Sequence, residues 1–76
     1  MTEQDIVKIL SNESEEFRKL GDEHQSLESM LTGFTERAYL TPEEEVEKKR
    51  IQKLKLVKKD RMAELVRGYK KTHYAN

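Results

Sequence analysis

His24 is the one imidazole in the body of the chain, and it stands among carboxylates at Glu23 and Glu28. An imidazole beside acids can ligate a metal or carry a proton. A zinc site, however, needs three or four convergent ligands. This region offers a single His, and the chain has no Cys. His24 is therefore expected to be structural, with its ring nitrogens paired against a neighbouring helix. His73, near the end of the sequence, reads as a solvated residue. The acidic runs Glu15-Glu16 and Glu43 to Glu45 look at first like paired catalytic carboxylates. Each sits where a helix would begin, and the positive end of the helix dipole accounts for acids there. There is no Gly-rich phosphate loop, no His-Glu-x-x-His and no nucleophile elbow. The sequence thus points away from an enzyme, with no catalytic residue, no cofactor and no metal ligand set to name.

The other chemistry on offer is charge. The chain is formally neutral, but residues 1–45 hold 12 acids and 4 bases, while residues 46–76 hold 3 acids and 11 bases. The bases Lys48, Lys49, Arg50, Lys53, Lys55, Lys59, Arg67, Lys70 and Lys71 would line a helix, and such a face can bind nucleic acid or acidic lipid. Few aromatics accompany them: Tyr69 and Tyr74 lie near the end, and the arm has no Trp or Phe for a membrane interface. The matching acidic half favours a different use, in which the two halves lie along each other. An arm meant for a polyanion would have no need of a complementary acidic one.

The elements that would position these charges are helices. Thr41-Pro42-Glu43-Glu44 is a helix start, with Thr41 as N-cap, Pro42 at the first helical position and Glu44 closing a capping box. Apolar residues then recur at Ile51, Leu54, Met62, Leu65 and Tyr69, interrupted by Lys58. This predicts a helix over 42–70, too long to be stable without something to lie against. Upstream, Thr2 to Asp5 is a weaker start, predicting a short helix over about 3–10. Ser11-Asn12-Glu13-Ser14 favours caps and turns, so a break is expected there, with Asn12 or Ser14 capping the next helix. That helix, over about 15–32, continues a seam in which Leu10, Glu13, Phe17, Leu20, His24, Leu27, Leu31 and Phe34 step by three and four. Gly33 fits a left-handed C-terminal cap. Residues 33–41 would form the connection, with Phe34 and Tyr39 against its end, and 71–76 a frayed tail.

Folding the two long arms antiparallel places Leu20 on Leu54, Leu10 on Leu65, Glu13 on Arg61, Glu16 on Lys58, and His24 beside Arg50 and Ile51. Glu13, Arg61 and His24 are thus the polar residues expected to mark the register. Leu56, Val57, Ala63 and Val66 fall off the main stripe. They widen the apolar strip beyond what one partner helix covers, which points to self-association into a dimeric four-helix arrangement. Leu56, Val57 and Val66 are the candidate protein-contact residues.

The pattern Phe17-x-x-Leu20-x-x-Glu23-His24-x-x-Leu27, followed by Leu54-Lys-Leu56-Val-Lys-Lys59-Asp60-Arg-Met62-x-x-Leu65, resembles the YdcH-like family of short bacterial proteins, whose function is uncharacterised. The resemblance spans roughly residues 6–66 and departs at Lys58, where the family tends to be aliphatic. It implies a helical hairpin and brings no activity, cofactor or catalytic residue with it.

The expectation is a single all-α domain over 1–76, an antiparallel two-helix hairpin, coiled-coil-like, with a short N-terminal helix. Its function would be that of a small non-catalytic interaction or assembly module, with protein partners, further copies of itself, or both. Nucleic-acid binding through the second helix is the alternative. No apolar run approaches the ~18 residues of a membrane span, and the acidic start lacks a secretory core, so the chain reads as cytoplasmic.

Overall fold

The computed structural model describes residues 2–74, with side chains through His73. It is all-helical, with no strand among the described residues: α1 (Glu3–Glu13), α2 (Glu15–Thr35) and α3 (Pro42–Tyr74). The frayed tail expected at 71–76 is helical through Tyr74, and its last two residues lie outside the described set. At 33 residues, α3 is about 50 Å long at 1.5 Å per residue, so it alone spans the 53 Å long axis of the molecule.

Each helix begins where a side chain can satisfy the orphan amides of its first turn. The Thr2 amide donates to Asp5 Oδ2 at 2.9 Å, and the Asp5 amide donates to Thr2 Oγ1 at 3.2 Å. Thr41 and Glu44 repeat this reciprocal box at the head of α3, at 2.9 and 3.2 Å. Ser14 serves two helices at once. Its backbone is extended (φ −110, ψ 114), its amide donates to the Leu10 carbonyl to end α1, and its hydroxyl accepts from the Phe17 amide at 3.1 Å to begin α2. A single non-helical residue therefore makes the bend, and α1 runs through Glu13 rather than stopping near residue 10.

The C-terminus of α2 differs from expectation. No described glycine has a positive φ, and the helix passes through Gly33 and Phe34 to Thr35. The Thr35 hydroxyl donates to the carbonyls of Leu31 and Thr32, and the Glu36 amide donates to Thr32, which satisfies the last turn without a left-handed residue. The connection is thereby shortened to residues 36–41. Arg37 clips it, forming an ion pair with Glu44 while its guanidinium lies 5.5 Å from the Phe34 ring centroid. Tyr39, expected against the end of the helices, is almost fully exposed.

α1 packs on both α2 and α3, and α2 packs on α3. Where all three meet, Ile6, Phe17 and Val66 form the enclosed centre, with Leu10, Met62, Leu65 and Tyr69 packed around it. Ile6 is fully buried and Phe17 is 2% exposed. Beyond the reach of α1 only two helices remain, and there Ile51 is the buried residue of α3.

Candidate protein-docking surface

Cross-helix ion pairs fix how α2 and α3 meet. Glu16 pairs with Arg61 at 3.0 Å, Glu23 with Lys58 at 3.4 Å and Glu28 with Lys55 at 3.6 Å. The partners on α3 run in the reverse order to those on α2. Arg61 is the strongest node, since its Nε and Nη2 both reach Glu16 Oε2 while Nη1 donates to Glu64 at 3.0 Å. Those hydrogen bonds, Glu16 first and Glu64 second, raise the guanidinium pKa further above its ordinary value. Arg50 is likewise raised by its bond to Glu47 in the same helix, and that bond holds the Glu47 carboxyl below the usual glutamate value.

These pairs correct the register read from the sequence. Glu13 does not pair with Arg61: it is the last residue of α1, ahead of the Ser14 bend, and it forms no ion pair among the described residues. Glu16 takes Arg61 in its place, and Lys58 goes to Glu23, two helical turns from the expected Glu16. Leu54 shares a shallow surface depression with Leu27, two helical turns along α2 from the expected Leu20. His24 is half-buried on the seam of α2, four residues from Leu20 and three from Leu27. Its ring makes no hydrogen bond to α3 among the described residues, so the expected pairing across the helices is not formed.

The candidate contact residues separate. Val66 is 6% exposed and belongs to the core, where it clusters with Ile6 of α1 and Phe17 of α2. Leu56 and Val57 remain exposed, at 57% and 60%. Val46 and half of Leu54 join them on α3, and Met30 on α2. The exposed large apolar residues thus gather where α1 does not reach, with Val7 of α1 the exception. Helical spacing sets Val46, Lys49, Lys53, Leu56 and Val57 on the side of α3 turned away from α2. Neither Lys49 nor Lys53 forms an ion pair among the described residues.

Other sites are not assembled. No three His, Cys, Asp or Glu side chains lie close enough to hold a metal among the described residues. His73 is exposed, but its ring stacks on Tyr69 with centroids 3.7 Å apart, and its Nδ1 lies 2.9 Å from the Tyr69 carbonyl oxygen. Tyr69, offered by the sequence as a stacking platform for bases, is therefore occupied on one face. The Tyr74 side chain lies outside the described set. No described helix is long and apolar enough to cross a membrane. No family model, curated protein or solved structure matches the chain.

Proposed function

We propose that this chain is a small non-catalytic interaction module. In this reading α2 and α3 form an antiparallel helical hairpin, α1 closes one end, and the protein docks or assembles through the outward side of α3. The observation that carries it is the exposure of Leu56 and Val57 on a helix whose other face is already occupied. Exposed apolar side chains gathered on one surface mark interaction sites more often than single scattered ones do. Among the described residues, the main surface depressions are shallow and open, unlike the enclosed clefts that bind small molecules. The resemblance to the YdcH-like family fits this reading and adds no activity to it.

The test is a Leu56→Gln/Val57→Gln variant compared with the native chain in affinity capture from the native cell. Capture of a protein partner is expected to be lost while far-UV circular dichroism stays unchanged. Unchanged capture would contradict the proposal. Val66 is left native in this variant, since a glutamine buried in the core would destabilise the fold itself.

A second reading, nucleic-acid binding, draws on Lys49, Lys53, Lys59, Arg67, Lys70 and Lys71, which form no ion pair among the described residues. Three bases of the same helix are taken up by α2: Lys55, Lys58 and Arg61. Asp60 and Glu64 interrupt the rest. The reading requires retention of RNA or DNA in a low-salt gel shift and a steep loss with added salt.

A further inference from the structure

The outward side of α3 carries more pattern than a loose apolar patch. Lys49, Lys53, Leu56, Val57, Asp60 and Glu64 follow one another at spacings of 4, 3, 1, 3 and 4. At 3.6 residues per turn they fall within about 100° of one another, on the side opposite the buried Ile51 and the core-packed Met62. All six are exposed. The order is base, base, apolar, apolar, acid, acid, and the spacing reads the same from either end.

Within one helix this arrangement is unfavourable. Lys49 and Lys53 are like charges four apart, and so are Asp60 and Glu64, a spacing at which like charges repel. Neither lysine nor Asp60 has an ion-pair partner among the described residues. Glu64 holds Arg61 through Oε2 only. A second α3 laid antiparallel across this side, with a two-fold axis between Leu56 and Val57, resolves all of it. Lys53 then faces Asp60 of the partner subunit, Lys49 faces Glu64 of the partner subunit, and Leu56 faces Val57 of the partner subunit. The axis repeats each pair, giving four ion pairs around an apolar centre. A slip of one turn in one direction sets Glu45 against Glu64 of the partner subunit. A slip in the other sets Val57 against Asp60 of the partner subunit.

We propose that the occupant of this surface is a second copy of the same chain, joined through antiparallel α3 helices in this register. The contact is isologous, as a closed dimer requires. It rests on the reading that the outward side of α3 is a docking surface, and it names the partner. The four long helices would lie side by side in the order α2, α3, α3, α2, a layer rather than a square bundle.

The test is sedimentation equilibrium of the full chain at roughly 100 µM, above the dissociation constant expected of a modest helix-on-helix contact. The native chain is expected at twice 9.0 kDa. Lys53→Glu alone and Asp60→Lys alone each set like charges together twice, and each should weaken dimerisation at least about tenfold. An equimolar mixture of the two variants restores every pair between unlike subunits and should return to dimer. That rescue cannot come from misfolded protein. A mixture that stays monomeric, or a single variant that dimerises as well as the native chain, overturns the register. A monomeric native chain overturns self-association, while partner capture that depends on Leu56 and Val57 would still uphold the docking surface.

Discussion

Val57 and Val66 are the same residue on the same helix, yet one is 60% exposed and the other 6%. Nine residues apart, they lie on opposite sides of α3. Val66 turns into the cluster it shares with Ile6 of α1 and Phe17 of α2, whereas Val57 turns away from α2 into solvent. Two packed helices enclose only a narrow line between them, and a third is needed before side chains on the flanks lose contact with water. The eleven residues of α1 thus divide the molecule. One end closes around Ile6, Phe17 and Val66, while the outward side of α3 leaves Leu56 and Val57 exposed.

This contrast can be broken or sharpened by substitution. The largest effect belongs to Phe17→Ala, which removes the centre of the three-helix end and should cost about 3–5 kcal/mol. In a domain this small that is most of the stability, and thermal melting by circular dichroism should show a largely unfolded chain at room temperature. At the two-helix end, the half-exposed Leu54 should tolerate Ala at a cost near 1 kcal/mol in urea unfolding. Equal costs for the two would erase the distinction.

Gly21→Ala should stabilise the protein by about 1 kcal/mol in the same assay, because a helix-interior glycine is the poorer residue. Its added Cβ would meet only Met62 Cε, at an ordinary 3.8 Å. A destabilised variant would mean that α2 and α3 approach more closely there than the structure shows. Smaller still is the Glu16–Arg61 pair, which is half-exposed and should give a coupling under about 1 kcal/mol in a double-mutant cycle. Glu13 and Arg61 should give none. The smallest effect concerns α1 itself. The Thr2 backbone amide, and then its hydroxyl, hold the Asp5 carboxyl below the usual aspartate value. A depressed folded pKa means that Asp5 supports the start of α1 fully above the ordinary aspartate pKa and loses that support as pH falls through the folded value. A carboxyl titration by NMR with its midpoint at or above the ordinary value would contradict the capping box.

The sequence exposed the starts of the helices well. Thr41, Pro42 and Glu44 form the box their types dictate, and Ser14 makes the break, because capping is a local interaction within four residues. The seam residues Phe17, Leu20 and Ile51 are buried for the same kind of reason, a spacing legible along one helix. Register was not legible. An a/d seam repeats every seven residues, so alignments two turns apart look alike to periodicity. The bases of α3 are dense enough to offer Glu16 either Lys58 or Arg61. The fate of Val66 was hidden as well. It depends on a cluster that includes Ile6, sixty residues away on a short helix whose direction is set by one extended residue. Gly33 misled for a simpler reason: a glycine permits a left-handed end, but threonine hydroxyls had already closed the helix two residues later.

The most direct measurement of the division of the molecule is the pair Val66→Ala and Val57→Ala, unfolded in urea in dilute solution, where any dimer has dissociated. Loss of the buried valine should lower stability by about 2 kcal/mol. Loss of the exposed one should change it by less than about 0.5 kcal/mol. Equal losses at both positions would show that Val57 is packed as Val66 is, and that the outward side of α3 is not free.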